Sequence, residues 1–201
     1  MPPRSPSGTV PPRSPSGTVT REDWATAALR ALRTGGPSAV RVEALARTLG
    51  VSKGSFYWHF ADRRALLETA IDAWEAENTE AIIAESERGE GAADKLRRLL
   101  ARVVSTFDGT VAPGELMLYL EAGGEGVTAS VERVVTRRLD YVADLLVELG
   151  QPEAEAQRRA AMAITLTVGI YQLSIGAPGP MSRRSLSENA FVDTLYDALT
   201  R

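Results

Sequence analysis

Residues 53–63 carry the side chains of this sequence that are best suited to chemistry on a ligand. If the stretch is helical, Phe56 and Phe60 share its inward stripe, and its outward side presents a cation, a hydroxyl, a phenol and an imidazole from Lys53, Ser55, Tyr57 and His59. Such groups donate hydrogen bonds to phosphate oxygens and base edges. His59 is the only histidine, and we favour a phosphate contact for it over a structural role.

Two short helices joined by a tight turn are predicted to hold these residues, in the stretch RVEALARTLGVSKGSFYWHF at 41–60. The first runs from Val42 to Leu49 with one apolar face, and Gly50 ends it. Ser52 is expected to cap the second helix with its side chain. Trp58 and Phe60 are expected in the core. This pattern predicts a helix-turn-helix, whose second helix enters the major groove of DNA.

The stretch GVSKGSFYWHF, followed by Asp62-Arg63 and then Ala65-Leu66-Leu67, resembles the DNA-binding domain of the tetracycline-repressor (TetR) family. The resemblance runs directly from Arg21 to about Ala73 and is architectural beyond that. It implies an all-α protein, in which an N-terminal three-helix helix-turn-helix domain precedes a helical ligand-binding and dimerisation domain.

The resemblance also implies a set of DNA-binding residues. Family positions near bases correspond to Lys53, Gly54 and Ser55, phosphate-gripping positions to Tyr57, His59 and Arg63, and the start of the supporting helix to Arg41 and Val42. Arg41 departs from the family pattern, which usually has Ser or Thr there. Because Arg41 cannot accept the capping hydrogen bond, that cap must come from elsewhere.

Composition and charge agree with this organisation. Residues 1–64 hold ten basic and four acidic residues, a net charge of +6, whereas residues 65–201 hold thirteen and twenty-two, a net charge of −9. A basic end next to an acidic body orients a protein toward DNA phosphates. The sequence has no cysteine, so we expect no disulfides and a cytoplasmic protein. With a single histidine as well, we expect no metal site, and no cofactor is predicted.

Three segments are predicted: 1–19, 20–66 and 67–201. The first is the tandem repeat PPRSPSGTV at 2–10 and 11–19, expected to be disordered and too poor in apolar residues for a signal peptide. It is either a leader without consequence, which its composition favours, or an arm that carries Arg4 and Arg13 to the minor groove. The second is the helix-turn-helix domain, and the third is the effector-binding and dimerisation domain.

Helical periodicity extends through the chain. We predict a helix at 21–34 capped by Thr20 with Asp23, and one capped by Asp62 that continues to about Ser86. Further helices are expected at about 93–108, 114–121, 127–149, 160–180 and 187–199. Residues 160–180 hold no charge, but polar residues and Gly-Pro breakers favour a central buried helix over a membrane span.

The last two predicted helices are apolar over more than one face, so we expect them to pair with a second copy in a four-helix interface. The candidates for that interface are Ile164, Val168, Leu173, Phe191, Leu195, Tyr196 and Leu199. Such a homodimer predicts a palindromic operator.

Candidates for the lining of an effector pocket are Phe107, Met117, Tyr119, Tyr141, Met162, Tyr171 and Gln172. Plain core packing is the commoner role for each. Arg137 or Arg138 could meet an acidic ligand, although solvated arginines on an outer face are favoured.

The sequence thus predicts a transcriptional regulator, a homodimeric repressor that a small molecule releases from its operator. The alternatives are a helical protein-interaction module and a small-molecule carrier, each with a non-functional DNA-binding head. An enzyme has little support, because no phosphate-binding loop, Ser-His-Asp set or paired carboxylates are found. Glu121 and Glu125 flank a glycine turn, which favours helix termination.

Overall fold

The computed structural model describes residues 18–106, 113–177 and 189–201, and these are helical without any strand. The helices are α1 (Arg21–Gly35), α2 (Val42–Leu49), α3 (Lys53–Phe56), α4 (Arg63–Glu75), α5 (Ala81–Ser86), α6 (Gly91–Ser105), α7 (Pro113–Glu121), α8 (Thr128–Glu148), α9 (Glu153–Gly176) and α10 (Asn189–Thr200). The predicted all-α fold is confirmed. The N-terminal repeat up to residue 17, Phe107, and the predicted helix ends near 108, 180 and 187 lie outside the described residues.

The helix starts follow from their capping residues. The Thr20 hydroxyl accepts a hydrogen bond from the Asp23 amide (3.2 Å), and the Asp23 carboxylate accepts one from the Thr20 amide (2.8 Å), which completes the predicted capping box. Asp62 caps α4 through the Ala65 amide at 2.8 Å, also as predicted. The predicted side-chain cap at Ser52 is wrong, because only the Ser52 backbone carbonyl accepts a bond, from the Ser55 amide at 3.0 Å.

Helices α1–α3 form a compact head that holds the helix-turn-helix. Gly50 ends α2 in the left-handed conformation, with φ of 70°, and this lets the chain turn at once into α3. Trp24 and Phe56 meet edge to face with ring centroids 5.4 Å apart, and Phe60 stacks on Phe56 at 5.7 Å. These aromatic contacts hold α3 against α1 within the head.

Trp58 does not belong to that core. Its side chain is 88% exposed, so the predicted burial of Trp58 is wrong, whereas that of Phe60 is confirmed. Residues 57–59 form a turn at the end of α3, and the turn breaks the helical spacing that the sequence pattern assumed.

Helix α4 joins the head to the body, which consists of α5–α10. The predicted long helix from Asp62 to about Ser86 is interrupted by a π-helical turn, Ala76–Glu80, between α4 and α5. The core of the head also continues into the body, because the same apolar cluster includes Leu118 from α7 and Val131 and Val134 from α8. Head and body therefore share packed apolar side chains besides the α4 connection.

The body has a second core, made by α5, α6, α8, α9 and α10. Helix α9 begins at Glu153, earlier than predicted, and it is not buried all round, since Met162, Leu166 and Leu173 are 61%, 46% and 51% exposed. Within the described residues, no helix is long and apolar enough to cross a membrane.

Candidate functional site

The outer surface of the helix-turn-helix presents several of the predicted DNA-binding residues. Arg41, Lys53 and Gly54 are exposed, and Tyr57 is 59% exposed. Together with Trp58 these residues are called the reading surface below. Ser55 is half-buried beside it. Exposed cationic and aromatic side chains of this kind match the requirements of a DNA groove and its phosphates.

Lys53 on the reading surface has a carboxylate partner within the protein. Its Nζ lies 2.5 Å from Oε1 of Glu43 on α2, and both side chains are more than half exposed. This hydrogen bond raises the pKa of Lys53 and lowers the pKa of Glu43. Lys53 is therefore charged, and a DNA phosphate would compete with Glu43 for it.

His59 is positioned through its backbone. Arg21 Nη1 donates a hydrogen bond to the His59 carbonyl at 2.8 Å, and the Arg21 guanidinium lies 4.3 Å from the centre of the Phe60 ring. Arg21 thus ties the start of α1 to the turn after α3. The His59 side chain is half-buried at the margin of the reading surface.

The side chains of Val42 and Arg63, both predicted to contact DNA, pack against or bond to groups within the protein. Val42 is 6% exposed and belongs to the head core, so only its backbone can face a phosphate. Arg63 donates to the carbonyls of Val40 (2.6 Å) and Pro37 (2.7 Å) and pairs with Glu125 of the body. In this arrangement Arg63 connects the head to the body, and its guanidinium does not reach the reading surface.

A second polar contact between head and body lies close to the first. Glu121, at the end of α7, accepts a hydrogen bond from the Ser38 amide at 2.9 Å. Glu121 and Glu125 were expected only to mark the end of a helix. Glu121 instead bonds directly to the turn that follows α1, and Glu125 is connected to the same turn through Arg63. The sequence spacing does not predict these long-range partners.

A cavity of about 140 Å³ lies between the π-helical turn and helices α4–α9. Its walls are mainly apolar. Of the predicted pocket residues, Tyr119, Tyr141 and Tyr171 line it, whereas Met117, Met162 and Gln172 do not. Met117 packs against Gly36 of the head, and Met162 and Gln172 are exposed on α9.

The cavity also holds polar side chains that the sequence reasoning missed or ranked low. Arg138 lines it, contrary to the expectation of a solvated outer arginine, and so do Asn78, Thr79, Thr106 and Glu115. Asn78 and Thr79 are brought there by the π-helical turn, which has no simple sequence signature. The Tyr171 hydroxyl bonds to Thr106.

Burial affects the phenols of the cavity. It raises the pKa of Tyr141 to about 12, and it also raises the pKa of Tyr171. The Tyr141 hydroxyl donates a hydrogen bond to the Glu87 carboxylate at 2.7 Å and lies 3.0 Å from the Ser86 hydroxyl. Both phenols are therefore neutral at physiological pH and can act as hydrogen-bonding groups.

Residues 26–70 match the model of the family described as bacterial regulatory proteins, tetR family. This segment contains the helix-turn-helix and most of α4. This segment is therefore similar to the DNA-binding domain of the TetR family. The chain thus carries a DNA-binding head of the kind found in bacterial regulatory proteins.

Solved structures have the same fold as this chain over nearly its whole length. A transcriptional regulator from Pseudomonas aeruginosa PAO1 has a TM-score of 0.74 at 18% identity, covering 90% of this chain and 89% of that one. A TetR-family regulator from Streptomyces coelicolor also has a TM-score of 0.74, at 17% identity and 94% and 93% coverage. SmeT, the repressor of a Stenotrophomonas maltophilia multidrug efflux pump, has 0.68 at 17% identity, covering 89% of each chain. No curated protein matches the chain.

The residues predicted to form the dimer interface lie in several different parts of the body. Ile164 and Val168 line the cavity, and Leu199 is buried in the body core. These three side chains face their own subunit, because α9 turns one side to the cavity and α10 packs against α6. Half-buried positions are occupied by Phe191, Leu195 and Tyr196.

The outward side of α9 carries an apolar row. Met162, Leu166, Gly169 and Leu173 recur at spacings of three and four residues, and the three large side chains are exposed. These four residues are called the outer row below. Of them the sequence analysis had placed only Leu173 in the interface. Among the described residues, no cluster of His, Asp or Glu could hold a metal ion.

Proposed function

We propose that this chain is a homodimeric repressor that a small molecule in the cavity releases from a palindromic operator. Residues 20–66 would read the DNA, and residues 67–201 would hold the effector and the second subunit. The protein would act in the cytoplasm, where its DNA partner lies. The observation that carries the ligand response is that α7 contacts both the cavity and the head.

The two sides of α7 support this coupling. One side contributes Glu115, Leu116 and Tyr119 to the cavity. The other side packs on α1, where Gly114 is so close that a Cβ atom there would clash with the backbone of Leu32 and Gly36. A ligand that displaces α7 must therefore also displace the end of α1.

The polar contacts between head and body make this movement directional. Glu121 holds the Ser38 amide, and Glu125 pairs with Arg63 at the start of α4. A shift of the α7–α8 connection would pull on both points and rotate the head about α4, a rigid-body change of the type used in allostery. The ligand acts in this way only if its affinity differs between the two states.

The outer row supports the dimer. Exposed apolar side chains on one helix face are typical of protein–protein contacts, and the groove beside them, formed with α10, is also mainly apolar. A two-fold dimer would place two reading surfaces about 34–36 Å apart or further by whole helical turns. Repression as the direction of regulation is supported by SmeT, which has the same fold and is a repressor.

The experiment that tests this proposal is selection of bound sequences from random duplex DNA by the purified protein at two salt concentrations. We expect a palindromic motif whose affinity falls steeply with salt, since the reading surface is cationic. Lys53→Ala is expected to weaken binding and its salt dependence, and Ser55→Ala to change the preferred sequence. An absence of enrichment at either salt concentration would contradict the proposal.

A further inference from the structure

Among the described residues, Arg138 is the one that lines the cavity with a permanent positive charge, and its bonding differs from that of its neighbours on α8. Arg133 pairs with Asp72 and Glu75, and Arg137 pairs with Glu80. Among the described residues, no carboxylate pairs with Arg138.

The partners of Arg138 are all neutral. Its Nε donates to the Thr79 hydroxyl at 2.8 Å, Nη1 to the Tyr119 hydroxyl at 3.2 Å and Nη2 to the Asn78 carbonyl at 3.3 Å. Its guanidinium carbon lies 4.8 Å from the centre of the Trp74 ring. These contacts fix the plane of the guanidinium and leave N–H groups of its fork unused.

Glu115 is the acidic residue of the same cavity, but it has a cationic partner outside. Its Oε1 lies 3.6 Å from Nε of Arg33 on α1. The carboxylate of Glu115 therefore has an oppositely charged partner, whereas the guanidinium of Arg138 has none in the described part of the chain. A partly buried guanidinium without a counter-charge favours an anion, because charge-assisted bonds are stronger at low local dielectric.

Resting on the ligand-responsive function above, we propose that the cavity binds a small amphipathic carboxylate with Arg138 as its anchor. The apolar walls, which include Leu99, Val103 and Val168, would enclose a hydrocarbon or aromatic body. A monoanion fits better than a phosphate, since one guanidinium is unpaired and Glu115 is near. The volume of about 140 Å³ is close to that of an engineered cavity that takes benzene.

The test is calorimetric titration of the full chain, without DNA, with matched pairs of probes: benzoate against benzyl alcohol, and octanoate against octanol. Each pair has the same apolar body and differs in the charged head. We expect each carboxylate to bind about tenfold or more tightly than its alcohol, as loss of a charge-assisted pair predicts. Equal or tighter binding of the alcohols, or no binding by either carboxylate, would overturn the assignment.

Substitutions of Arg138 test whether the preference for carboxylates over alcohols depends on this residue. Arg138→Met should abolish the preference for carboxylates, and Arg138→Lys, which keeps the charge, should retain part of it. Arg137→Met is the matched control, because Arg137 is the next residue and is paired with Glu80; it should retain the full preference. If folded Arg138→Met keeps the wild-type preference, Arg138 is not the anchor. Should Arg138→Met fail to fold, the wild-type comparison of acid with alcohol still decides.

The result is separable from the proposed function. If carboxylates bind but leave DNA affinity unchanged, the release mechanism is wrong and the ligand class stands. If the protein selects an operator but binds neither carboxylate, the ligand class is wrong and the DNA-binding role stands.

Discussion

At the scale of single residues, the ion pair between Lys53 and Glu43 sets the charge that the reading surface offers to DNA. The Glu43 carboxylate is bonded to the Lys53 ammonium group, which a DNA phosphate would otherwise bind. Exposed pairs of this kind contribute little to stability, because water and salt screen them. Competition from Glu43 should weaken the binding of a DNA phosphate to Lys53 by a similarly small amount, which a binding experiment can measure.

Glu43→Gln is therefore expected to tighten operator binding by about two- to five-fold, because Lys53 loses its internal competitor. Fluorescence anisotropy with a labelled duplex measures this effect. Glu132→Gln, an identical charge change at an exposed position of the body, is the control and should leave the affinity nearly unchanged. Equal gains in both variants would mean that net charge, rather than release of Lys53, is responsible.

Trp58 provides a second test at this scale. The chain has three tryptophans, of which Trp24 and Trp74 are buried and Trp58 is exposed. Trp58→Phe should remove most of the fluorescence that iodide can quench and change the free energy of unfolding by less than about 0.5 kcal/mol. Trp24→Phe should leave the quenchable signal in place. Unchanged quenching in Trp58→Phe would contradict the exposed position.

Helical spacing predicted only part of what the reading surface exposes, and none of the side-chain partners. The exposed positions of Lys53 and Tyr57 follow from that spacing, whereas Ser55 and His59, predicted to face outward as well, are half-buried. The position of Trp58 does not follow from it, because a short turn after α3 interrupts the helix and leaves this side chain exposed. The burial of Val42 agrees with its place on the predicted apolar face of α2. Arg63 bonds to carbonyls and to Glu125, which is far away in sequence.

At the scale of elements, α7 is the helix on which the proposed ligand response would depend. It is short, it contacts α1 at Gly114, and it contributes directly to the cavity. The sequence predicted its bounds from Pro113 and the glycines that follow it. Its two-sided role was not predictable, because the partners come from distant segments.

Gly114→Ala is expected to force α7 and α1 apart, since the added methyl group would meet the backbone of Leu32 and Gly36. Overpacking of this kind costs about 1–3 kcal/mol, measurable by urea unfolding. Operator affinity should fall as well. Gly123→Ala, where an added Cβ meets nothing within 4 Å, is the matched control. Similar losses in the two variants would show that the contact between α7 and α1 is not the cause.

The π-helical turn between α4 and α5 is the other element that periodicity alone could not give. The sequence predicted one continuous helix to about Ser86, with Leu66, Ala70 and Trp74 on its inner stripe. The extra residue in the turn places Asn78 and Thr79 against Arg138. Helix propensity does not predict this π-helical turn, because Arg138, the residue that bonds to it, lies on α8.

At the scale of the whole molecule, the proposed dimer would be held together by the outer row of α9. Leu166→Asp would place a charge at the centre of a buried apolar contact and should convert a dimer into a monomer of 21.6 kDa. Light scattering after size-exclusion chromatography measures the mass. Val147→Asp, at an exposed apolar position on α8, should remain dimeric. A Leu166→Asp protein that keeps twice the chain mass would place the interface elsewhere.

Architecture was the most predictable property at this scale. Helical periodicity, the capping residues and the charge difference between the two ends together predicted the all-α fold and the position of the head. The assignment of α9 side chains was less successful, because a helix that is apolar on two sides does not reveal which side is covered by its own subunit. Ile164 and Val168 face the cavity, whereas Met162 and Leu166 face outward.

Protection of guanine N7 from methylation on a selected operator is the measurement that tests the central claim most directly. N7 lies in the major groove, where the reading surface should dock. Two symmetric protected patches are expected, with centres about 34–36 Å apart or further by whole turns. Both should disappear together in Lys53→Ala. Protection of one patch alone, or none despite tight binding, would contradict a dimeric regulator that reads DNA through this helix-turn-helix.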